Sequence, residues 1–402
     1  MSTHLRWPPM LNMAGRASSN FQPIIGEITR CRLPFHKRHD RVLITDRLDG
    51  QCLGYLALLS ASPPKGRFFL PHMVGDVPPD QLAQLKDGDM VRVSGDGEII
   101  VLWDQDSRQN SLMLTESCDC RCLMCPQPPQ KHDSALTAAS HRTLDLLKGK
   151  KVENICITGG EPTFQPDNFL KVLRRCCQEH PESRIDVLTN GRSLADPGFA
   201  KQVAAQINDR IVFCVSLHSD IASIHDQIVN RPGSGTETQA GIYNLARYGI
   251  PVEIRHVIMK RNYARLSEFA EHLYRYFPFC VHYAFMSLEI YGLASQNLDS
   301  VYIDPSDYQN QLRKAVLTLH RRGLNVSVYN TPLCLCHADI RRFSRKSISS
   351  WKNILLEECS SCSMKDDCCG FFSTSSLPIS RHISPLNGAG DDSLEQLKQV
   401  GG

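Results

Sequence analysis

The chain has 402 residues, of which 42% are hydrophobic and 22% are charged, and its formal net charge at pH 7 is +3. This composition is that of a globular protein with room for one large α/β domain plus appendages, or for two ordinary domains. The small charge gives no strong case for binding nucleic acid or an anionic membrane, no run of 18 apolar residues is present, and the polar N-terminus lacks a secretory signal, so we expect a cytoplasmic protein.

The first hundred residues predict little regular helix. We expect residues 1–20 to be disordered and residues 21–105 to form a small β-rich domain, because short apolar runs are separated there by Asp-Gly turn signals at 49–50, 87–88 and 96–97. The sequence of this domain contains no motif that indicates a catalytic or binding function.

From residue 106 to residue 330, strand-like and helix-like segments alternate. The predicted strands are SLMLTE, VENICIT, IDVLTN, IVFCVSL, VEIRHVI, FCVHYAFMSL and NVSVYN. The predicted helices cover 135–148, the apolar face Phe169, Val172, Leu173 and Cys176, the region near 195–207, 237–248, and the face Tyr308, Leu312, Ala315, Val316 and Leu319. About six β-α units predict an α/β fold, a partial (β/α)6 barrel, in which the chemistry lies at the carboxyl ends of the strands.

After residue 330 the alternation stops. Residues 331–383 are irregular and cysteine-rich, as a segment organised by a metal cluster would be, and residues 384–402 predict a flexible tail. The chain has 17 cysteines, and in a long chain without a secretory signal metal ligation is a better explanation than disulfides.

Cys118, Cys122 and Cys125 form a C-x3-C-x2-C triplet directly after a predicted strand. Three thiolates can ligate three irons of a [4Fe–4S] cluster and leave the fourth iron open to the amino and carboxylate groups of S-adenosylmethionine (SAM). An electron from the reduced cluster would cleave SAM to a 5′-deoxyadenosyl radical, which abstracts hydrogen from a substrate. The alternative is a zinc knuckle with Cys120 as fourth ligand, although C-x-C-x-C spacing is cramped for a closed site.

A Gly-Gly-Glu-Pro motif stands at the end of the next predicted strand. Gly159 and Gly160 let the backbone come close to a ligand, and the carboxylate of Glu161 could position the amino group of SAM. The alternative is a plain strand-to-helix turn with Pro162 near the helix start.

Three further strand ends carry candidate SAM contacts. Thr189 and Asn190 could bind the ribose or adenosine, although Asn-Gly is also a common turn, and Ser216 is a further candidate. His218 is either a substrate-side residue or a solvated loop histidine. Arg255 could pair with the SAM carboxylate or form an internal ion pair with Glu253, which shares its face of the strand.

The late cysteines form a second ligand-like set. Cys359, Cys362 and Cys368, with Cys334 upstream, could close an auxiliary [4Fe–4S] cluster that relays electrons or binds substrate. Four cysteines with a C-x2-C arm also suit structural zinc, so this alternative stays open.

The chain resembles the C-type radical SAM maturases of the His-Xaa-Ser system (HxsC). The matching stretches lie between about residue 111 and residue 373 and are LTESCDCRCLMCPQPP, ITGGEPT, VLTNGR, the HD of SIHDQIV, NLARYGIPVEIR, IDPSDY, SVYNTPLC, SISSWKN and CSSCSMKDDCCGFFS. The resemblance implies a peptide-modifying enzyme that acts on a precursor with His-Xaa-Ser repeats. The implied partners are a B-type radical SAM maturase, a small D-type protein and an electron donor.

Two positions depart from the family pattern. Cys120 stands where the family does not usually have cysteine, and Cys369 stands where it tends to have glycine. Two rival functions remain at this stage: a radical SAM enzyme acting on a small molecule or RNA, and a non-catalytic iron–sulfur or zinc-binding partner protein.

Overall fold

The computed structural model describes residues 12–64, 71–130, 134–349, 352–375 and 380–387. Its N-terminal part is a mixed β-sheet. The described strands of this sheet are β1 (Asn12–Ala14), β2 (Arg16–Ala17), β3 (Ile24–Thr29), β4 (Arg41–Ile44), β5 (Ala57–Leu59), β6 (His72–Gly75), β7 (Met90–Val93) and β8 (Glu98–Trp103), and helix α1 (Pro79–Gln84) lies between β6 and β7. They are ordered β1-β8-β7-β3-β4-β5-β6-β2, and their apolar side chains form a separate buried cluster.

The prediction that residues 1–20 are disordered is wrong for part of this range. Strand β1 pairs with β8 in antiparallel register, with Asn12 opposite Ile100, and β2 pairs with β6. Met13 is buried in the cluster under this sheet. A polar, glycine-containing segment is thus ordered by pairing with distant strands, and residues 1–11 lie outside the described residues.

A second sheet follows, and each of its strand pairs is parallel. Its described strands are β9 (Asn110–Met113), β10 (Asn154–Thr158), β11 (Arg184–Thr189), β12 (Ile211–Ser216), β13 (Val252–Ile258), β14 (His282–Ser287), β15 (Val326–Tyr329) and the short β16 (Ser344–Arg345). They stand side by side in chain order, with β9 and β16 at the two edges. Sequential order with parallel pairing is the topology of a barrel wall that stays open between its first and last strands.

Helices connect these strands. The described helices are α2 (Ser134–Leu147), α3 (Pro166–Glu179), α4 (Pro197–Ala204), α5 (Ala222–Val229), α6 (Ser234–Arg247), α7 (Leu266–Tyr276), α8 (Leu293–Gln296), α9 (Leu298–Val301) and α10 (Gln309–Arg321). Within the described residues they occupy each of the six crossovers from β9 to β15, so the predicted partial (β/α)6 barrel is confirmed.

The two faces of the parallel sheet differ in chemistry because successive side chains point to opposite sides. One face packs on the helices: Ile155 and Ile157 of β10 are fully buried in the same cluster as Phe169 and Leu173 of α3. The inner face is polar. Its side chains include Cys156, Asp186, Cys214, Glu253, Arg255, His282 and Ser327.

The cysteine-rich segment follows β15. Besides β16, its described residues form short 3-10 turns and one small antiparallel pair, β17 (Asn353–Ile354) with β18 (Phe371–Phe372). Residues 384–387, expected in the flexible tail, pack on this segment: Ser363 N donates to Leu386 O over 2.9 Å. The rest of the predicted tail, 388–402, lies outside the described residues.

Helix bounds differ modestly from those expected from the sequence. The helix predicted near 195–207 is shortened to Pro197–Ala204, because Asp196 caps its first turn by accepting a hydrogen bond from Gly198 N. Across the part of the chain that the structure describes, every helix is too short or too polar to cross a bilayer.

Candidate functional site

The loops at the carboxyl ends of β9, β10 and β11 interlock. Gly160 N donates to Thr115 O over 2.7 Å, and Glu161 N donates to Ser117 O over 2.9 Å. A Cβ atom on Gly160 would lie 2.4 Å from Ser117 O, and one on Gly159 would lie 2.7 Å from Thr115 O. The two glycines therefore allow direct backbone contact with the residues just after β9 and with the start of the cysteine loop, residues 117–127.

The Glu161 carboxylate joins two of these loops. One oxygen accepts hydrogen bonds from Thr163 N (3.0 Å), Thr163 Oγ1 (2.6 Å) and Thr189 Oγ1 (2.7 Å), and the other accepts from Asn190 N (2.6 Å). The side chain is buried, and burial raises its pKa. Through these four donors Glu161 fixes the loops after β10 and β11, and the contact of its carboxylate with SAM stays a prediction.

The C-terminal end of helix α5 supports the cysteine loop through two backbone hydrogen bonds. Leu123 N donates to Ile228 O over 2.9 Å, and Arg121 N donates to Val229 O over 3.1 Å, both at the C-terminal end of α5. Cys118, Cys122 and Cys125 are partly exposed on this loop, and none is in a disulfide.

This donor set fits a [4Fe–4S] cluster. Three free thiols lie on one short loop at the carboxyl edge of the sheet, and thiolates are the ligands that such clusters take. In the described part of the chain no three His, Cys, Asp or Glu side chains are already arranged as a metal-binding group. Burial raises the pKa of Cys122 and of Cys125, so ligation would release their protons.

A network of charged side chains, which the sequence analysis did not predict, lies beside the cysteine loop. Asp119 accepts hydrogen bonds from Asn190 Nδ2 (2.9 Å) and from the Arg192 guanidinium. Arg192 also pairs with Glu237 of α6, with Nη2 to Oε2 at 2.5 Å, and its side chain is only 7% exposed. Arg192 could have been identified as a site residue from the sequence, because it follows Thr189 and Asn190 in the motif TNGR.

Ser216 and Arg255 are neighbours on the inner face, paired in the β12–β13 register. The internal ion pair expected as an alternative is formed: Arg255 Nε donates to Glu253 Oε1 over 2.6 Å. Glu253 Oε2 lies 2.8 Å from His282 Nδ1, and His282 Nε2 lies 2.9 Å from Ser327 Oγ. Burial raises the pKa of Glu253, but the His282 hydrogen bond and the Arg255 charge outweigh burial and hold this pKa at about 2. The Arg255 side chain remains 30% exposed.

His218 belongs to a buried histidine cluster. It is 3% exposed, its ring centroid lies 5.7 Å from that of His225 and 6.2 Å from that of His256, and its backbone N donates to His225 Nδ1 over 3.1 Å. Burial lowers the pKa of His225 and of His256 to about 4 and also lowers that of His218. The interpretation of His218 as a solvated loop histidine is wrong, because the three rings are packed as neutral imidazoles.

The four predicted auxiliary ligands line one cavity. Cys334, Cys359, Cys362 and Cys368 line this cavity, which residues 383–385 help to enclose. Backbone N–H groups point at two of the sulfurs: Leu386 N lies 3.4 Å from Cys362 Sγ, and Leu333 N lies 3.4 Å from Cys368 Sγ.

Cys336 and Cys369 lie outside this lining. Both are buried; Ser344 Oγ lies 3.6 Å from Cys336 Sγ, and burial raises the pKa of Cys336 to about 11. A hydrogen bond from the Cys369 thiol lowers the pKa of Cys368 to about 6. Cys369 is thus placed as a neighbour of Cys368 rather than as a cavity-lining ligand.

The model of the Radical SAM superfamily matches residues 112–273, which contain the cysteine loop and the strand ends of β10 to β13. Residues 112–273 are therefore similar to the radical SAM superfamily. The match does not extend to the N-terminal sheet or the cysteine-rich segment.

Curated relatives match a part of the chain. The chain is similar to mycofactocin maturase MftC of Mycobacterium tuberculosis, with 32% identity over 40% of this chain and 41% of the relative. Human molybdenum cofactor biosynthesis protein 1 is 31% identical over 42% of this chain and 27% of its own length. The chain thus spans less than half of the curated relatives it matches. A solved structure of Streptococcus suis SuiB bound to SAM superposes with a TM-score of 0.45 at 18% identity over 54% of this chain and 49% of that chain.

The buried histidines predict a pH dependence of stability. His225 titrates near pH 4 in the folded protein and near 6.5 when unfolded, so the unfolded state binds more protons between these values and stability rises with pH. We expect the substitution His225→Asn, which keeps an acceptor for His218 N, to reduce the slope of the unfolding free energy from pH 4 to 6.5 by up to about 1.4 kcal/mol per pH unit. Chemical denaturation at several pH values measures this.

The matched control is His39→Asn. The His39 side chain is 74% exposed, so its replacement should leave the slope unchanged. Equal slopes for the wild-type protein and His225→Asn would contradict the assignment of His225 as a buried neutral imidazole.

Proposed function

We propose that the chain cleaves SAM reductively at a [4Fe–4S] cluster held by Cys118, Cys122 and Cys125. The observation that carries this proposal is the interlocking of three consecutive strand-end loops: the cysteine loop, the turn of Gly159 and Gly160, and the turn that follows β11. These loops lie at the carboxyl edge of a parallel sheet, where (β/α) barrels place their chemistry.

The chain supplies ligands, orientation and protection from water. When bound, a reduced cluster with an open iron supplies the electron that converts SAM into methionine and a 5′-deoxyadenosyl radical. We assign Ser216, Arg255 and Asn190 to SAM itself, because the first two share the inner face and the third stands beside the cysteine loop. Gly159, Gly160, Glu161 and Thr189 belong to the same binding site, where they hold the loops in place.

Reductive SAM cleavage is the direct test. We expect the anaerobically reconstituted and reduced protein to release 5′-deoxyadenosine, and Cys122→Ala to abolish this release because the cluster loses a ligand. The matched control is Cys280→Ala, a buried cysteine outside the site, which should leave release unchanged. Chromatographic quantification of 5′-deoxyadenosine decides the matter, and equal release by the Cys122→Ala variant would overturn the proposal.

An auxiliary [4Fe–4S] cluster is proposed for the cavity of Cys334, Cys359, Cys362 and Cys368. Its support is that four cysteines separated by up to 34 residues line one cavity, with backbone N–H groups of Leu333 and Leu386 donating to two of the sulfurs. Hydrogen bonds of this kind to coordinated sulfur help to set cluster potentials. Structural zinc remains the alternative occupant.

Metal counting separates these occupants. We expect about eight irons per chain in the wild-type protein and about four in Cys362→Ala. The control Cys336→Ala changes a buried cysteine near the cavity but outside its lining, so it should keep the full iron content. Iron, sulfide and zinc analysis provides the readout. A zinc ion that disappears in Cys362→Ala, with about four irons in both proteins, would assign zinc to this site.

The proposed substrate is a ribosomally made peptide. A largely apolar, partly open cavity lies between the carboxyl ends of β14 and β15 and the cysteine-rich segment. Its apolar lining includes Leu288, Ile290, Pro332, Phe371 and Phe372. The similarity to a mycofactocin maturase supports maturation as the role.

The more specific proposal concerns the peptide and the partners. On the family resemblance, the substrate is a precursor with His-Xaa-Ser repeats, and the partners are a B-type radical SAM maturase, a small D-type protein and an electron donor. The similarity to a molybdenum cofactor biosynthesis protein favours a second candidate, a small-molecule substrate.

Peptide binding in the apolar cavity is testable with Ile290→Arg. Ile290 is 7% exposed, so a buried guanidinium should lower modification of a synthetic His-Xaa-Ser-repeat peptide at least tenfold while leaving peptide-free 5′-deoxyadenosine release unchanged. Ile354→Arg is the control, because Ile354 is 38% exposed and lies outside the cavity lining. Mass spectrometry of the peptide gives the readout. Equal modification by the two variants would exclude this cavity as the peptide site.

A further inference from the structure

A row of hydrogen-bonded side chains on the inner face of the sheet ends at Arg255. Arg255 Nε donates to Glu253 Oε1 over 2.6 Å, and Glu253 Oε2 lies 2.8 Å from His282 Nδ1. His282 Nε2 in turn lies 2.9 Å from Ser327 Oγ. The row crosses three neighbouring strands, β13, β14 and β15. The position of Arg255 therefore depends on side chains of two other strands.

The Glu253 carboxylate has a different partner at each oxygen. Burial raises its pKa, but the hydrogen bond from His282 and the charge of Arg255 hold this pKa at about 2, so the group is ionised at neutral pH and can only accept. His282 Nδ1 is therefore the donor in its contact with Glu253. At Nε2 the ring meets the Ser327 hydroxyl, which can donate or accept, so both ring nitrogens are held in either protonation state.

Exposure differs along the row. The side chains of Glu253 and His282 are 6% and 13% exposed, whereas that of Arg255 is 30% exposed. In the described part of the chain the two Nη groups of Arg255 form no hydrogen bond, because Nε makes the contact with Glu253. Two adjacent Nη groups are a fork that can bind a carboxylate with two parallel hydrogen bonds.

Arg255 lies nearer to the carboxyl edge of the sheet than the groups that hold it. The register places Arg255 opposite Ser216, the last residue of β12. Glu253 precedes Arg255 by two residues on the same face, which is about 6.6 Å along the strand, and it pairs with His282. The cysteine loop lies at the carboxyl edge, so a ligand bound there approaches Arg255 from the side opposite to Glu253.

We propose that His282 is a positioning residue for SAM: through Glu253 it fixes Arg255, whose Nη groups bind the carboxylate of SAM. This inference rests on the proposed function, which assigns Arg255 to SAM. Without His282, Glu253 keeps Arg255 as its partner but loses the donor that fixes its second oxygen. The pair then has to be ordered when SAM binds, and this ordering weakens binding.

The test compares substitutions of His282 in the reconstituted full chain. His282→Leu removes both hydrogen bonds of the ring. His282→Asn places an amide donor near the position of Nδ1 and keeps the contact with Glu253, whereas His282→Gln places its amide near Nε2 and keeps only the contact with Ser327. The matched control is His180→Leu, since His180 is a buried histidine at the C-terminal end of α3, outside the site.

Two measurements give the readout. Equilibrium dialysis with labelled SAM gives the Kd without turnover, and 5′-deoxyadenosine release over a range of SAM concentrations gives KM and kcat. We expect Kd and KM to rise about tenfold in His282→Leu and His282→Gln, because a hydrogen bond to a charged group is lost. The value of kcat at saturating SAM should not change, since the lost contact acts on binding. His282→Asn and His180→Leu should match the wild-type protein, and iron content should be the same in all variants.

A double substitution shows whether His282 acts through Arg255. Once Arg255→Ala has removed the guanidinium, His282→Leu should weaken SAM binding no further, because residues of one hydrogen-bonded network are not additive.

Three outcomes would overturn the inference. These are an unchanged Kd in both His282→Leu and His282→Gln, a loss in His282→Asn as large as in His282→Leu, and a full tenfold effect of His282→Leu in the Arg255→Ala background. His282→Gln remains informative if His282→Leu does not fold. Failure of the proposed function looks different: the wild-type protein would release no 5′-deoxyadenosine, or Cys122→Ala would release as much as the wild-type protein.

Discussion

The hydrogen-bonded carboxylate of Glu161 is the interaction on which the strand-end loops depend. Its oxygens bind donors of Thr163, Thr189 and Asn190, so the loops after β10 and β11 cannot move independently. A buried donor left without a partner costs about 1–3 kcal/mol, and this carboxylate satisfies four of them. The same turn contacts the cysteine loop through Glu161 N, which donates to Ser117 O. One short motif therefore sets the geometry of three neighbouring loops.

Local patterns in the sequence were enough to predict the barrel wall. Strand β13 has the bounds expected from VEIRHVI, because alternating apolar residues pack on helices while Glu253 and Arg255 face inward. Helix α7 was overlooked although Leu266, Phe269, Ala270 and Leu273 have the spacing of an apolar helical face. The apolar spacing in the sequence was therefore sufficient to predict this helix.

Long-range contacts could not be predicted from local patterns in the sequence. The ion pairs of Arg192 with Asp119 and Glu237 join residues 73 and 45 positions apart, so no window of the sequence contains them. The hydrogen-bond partners of Glu161 could not be predicted for the same reason, because they include residues 28 and 29 positions later. The composition predicts disorder for the residues of strand β1 and a flexible tail for residues 384–387. Both are instead ordered by partners elsewhere in the chain.

Residues 383–386 form one wall of the auxiliary cavity, and this wall is synthesised after the cysteines that line the cavity. A ribosome makes Cys334, Cys359, Cys362 and Cys368 before it makes this wall, and the wall reaches Cys362 through Leu386 N. During synthesis the four thiols are therefore present while one side of their cavity is still missing.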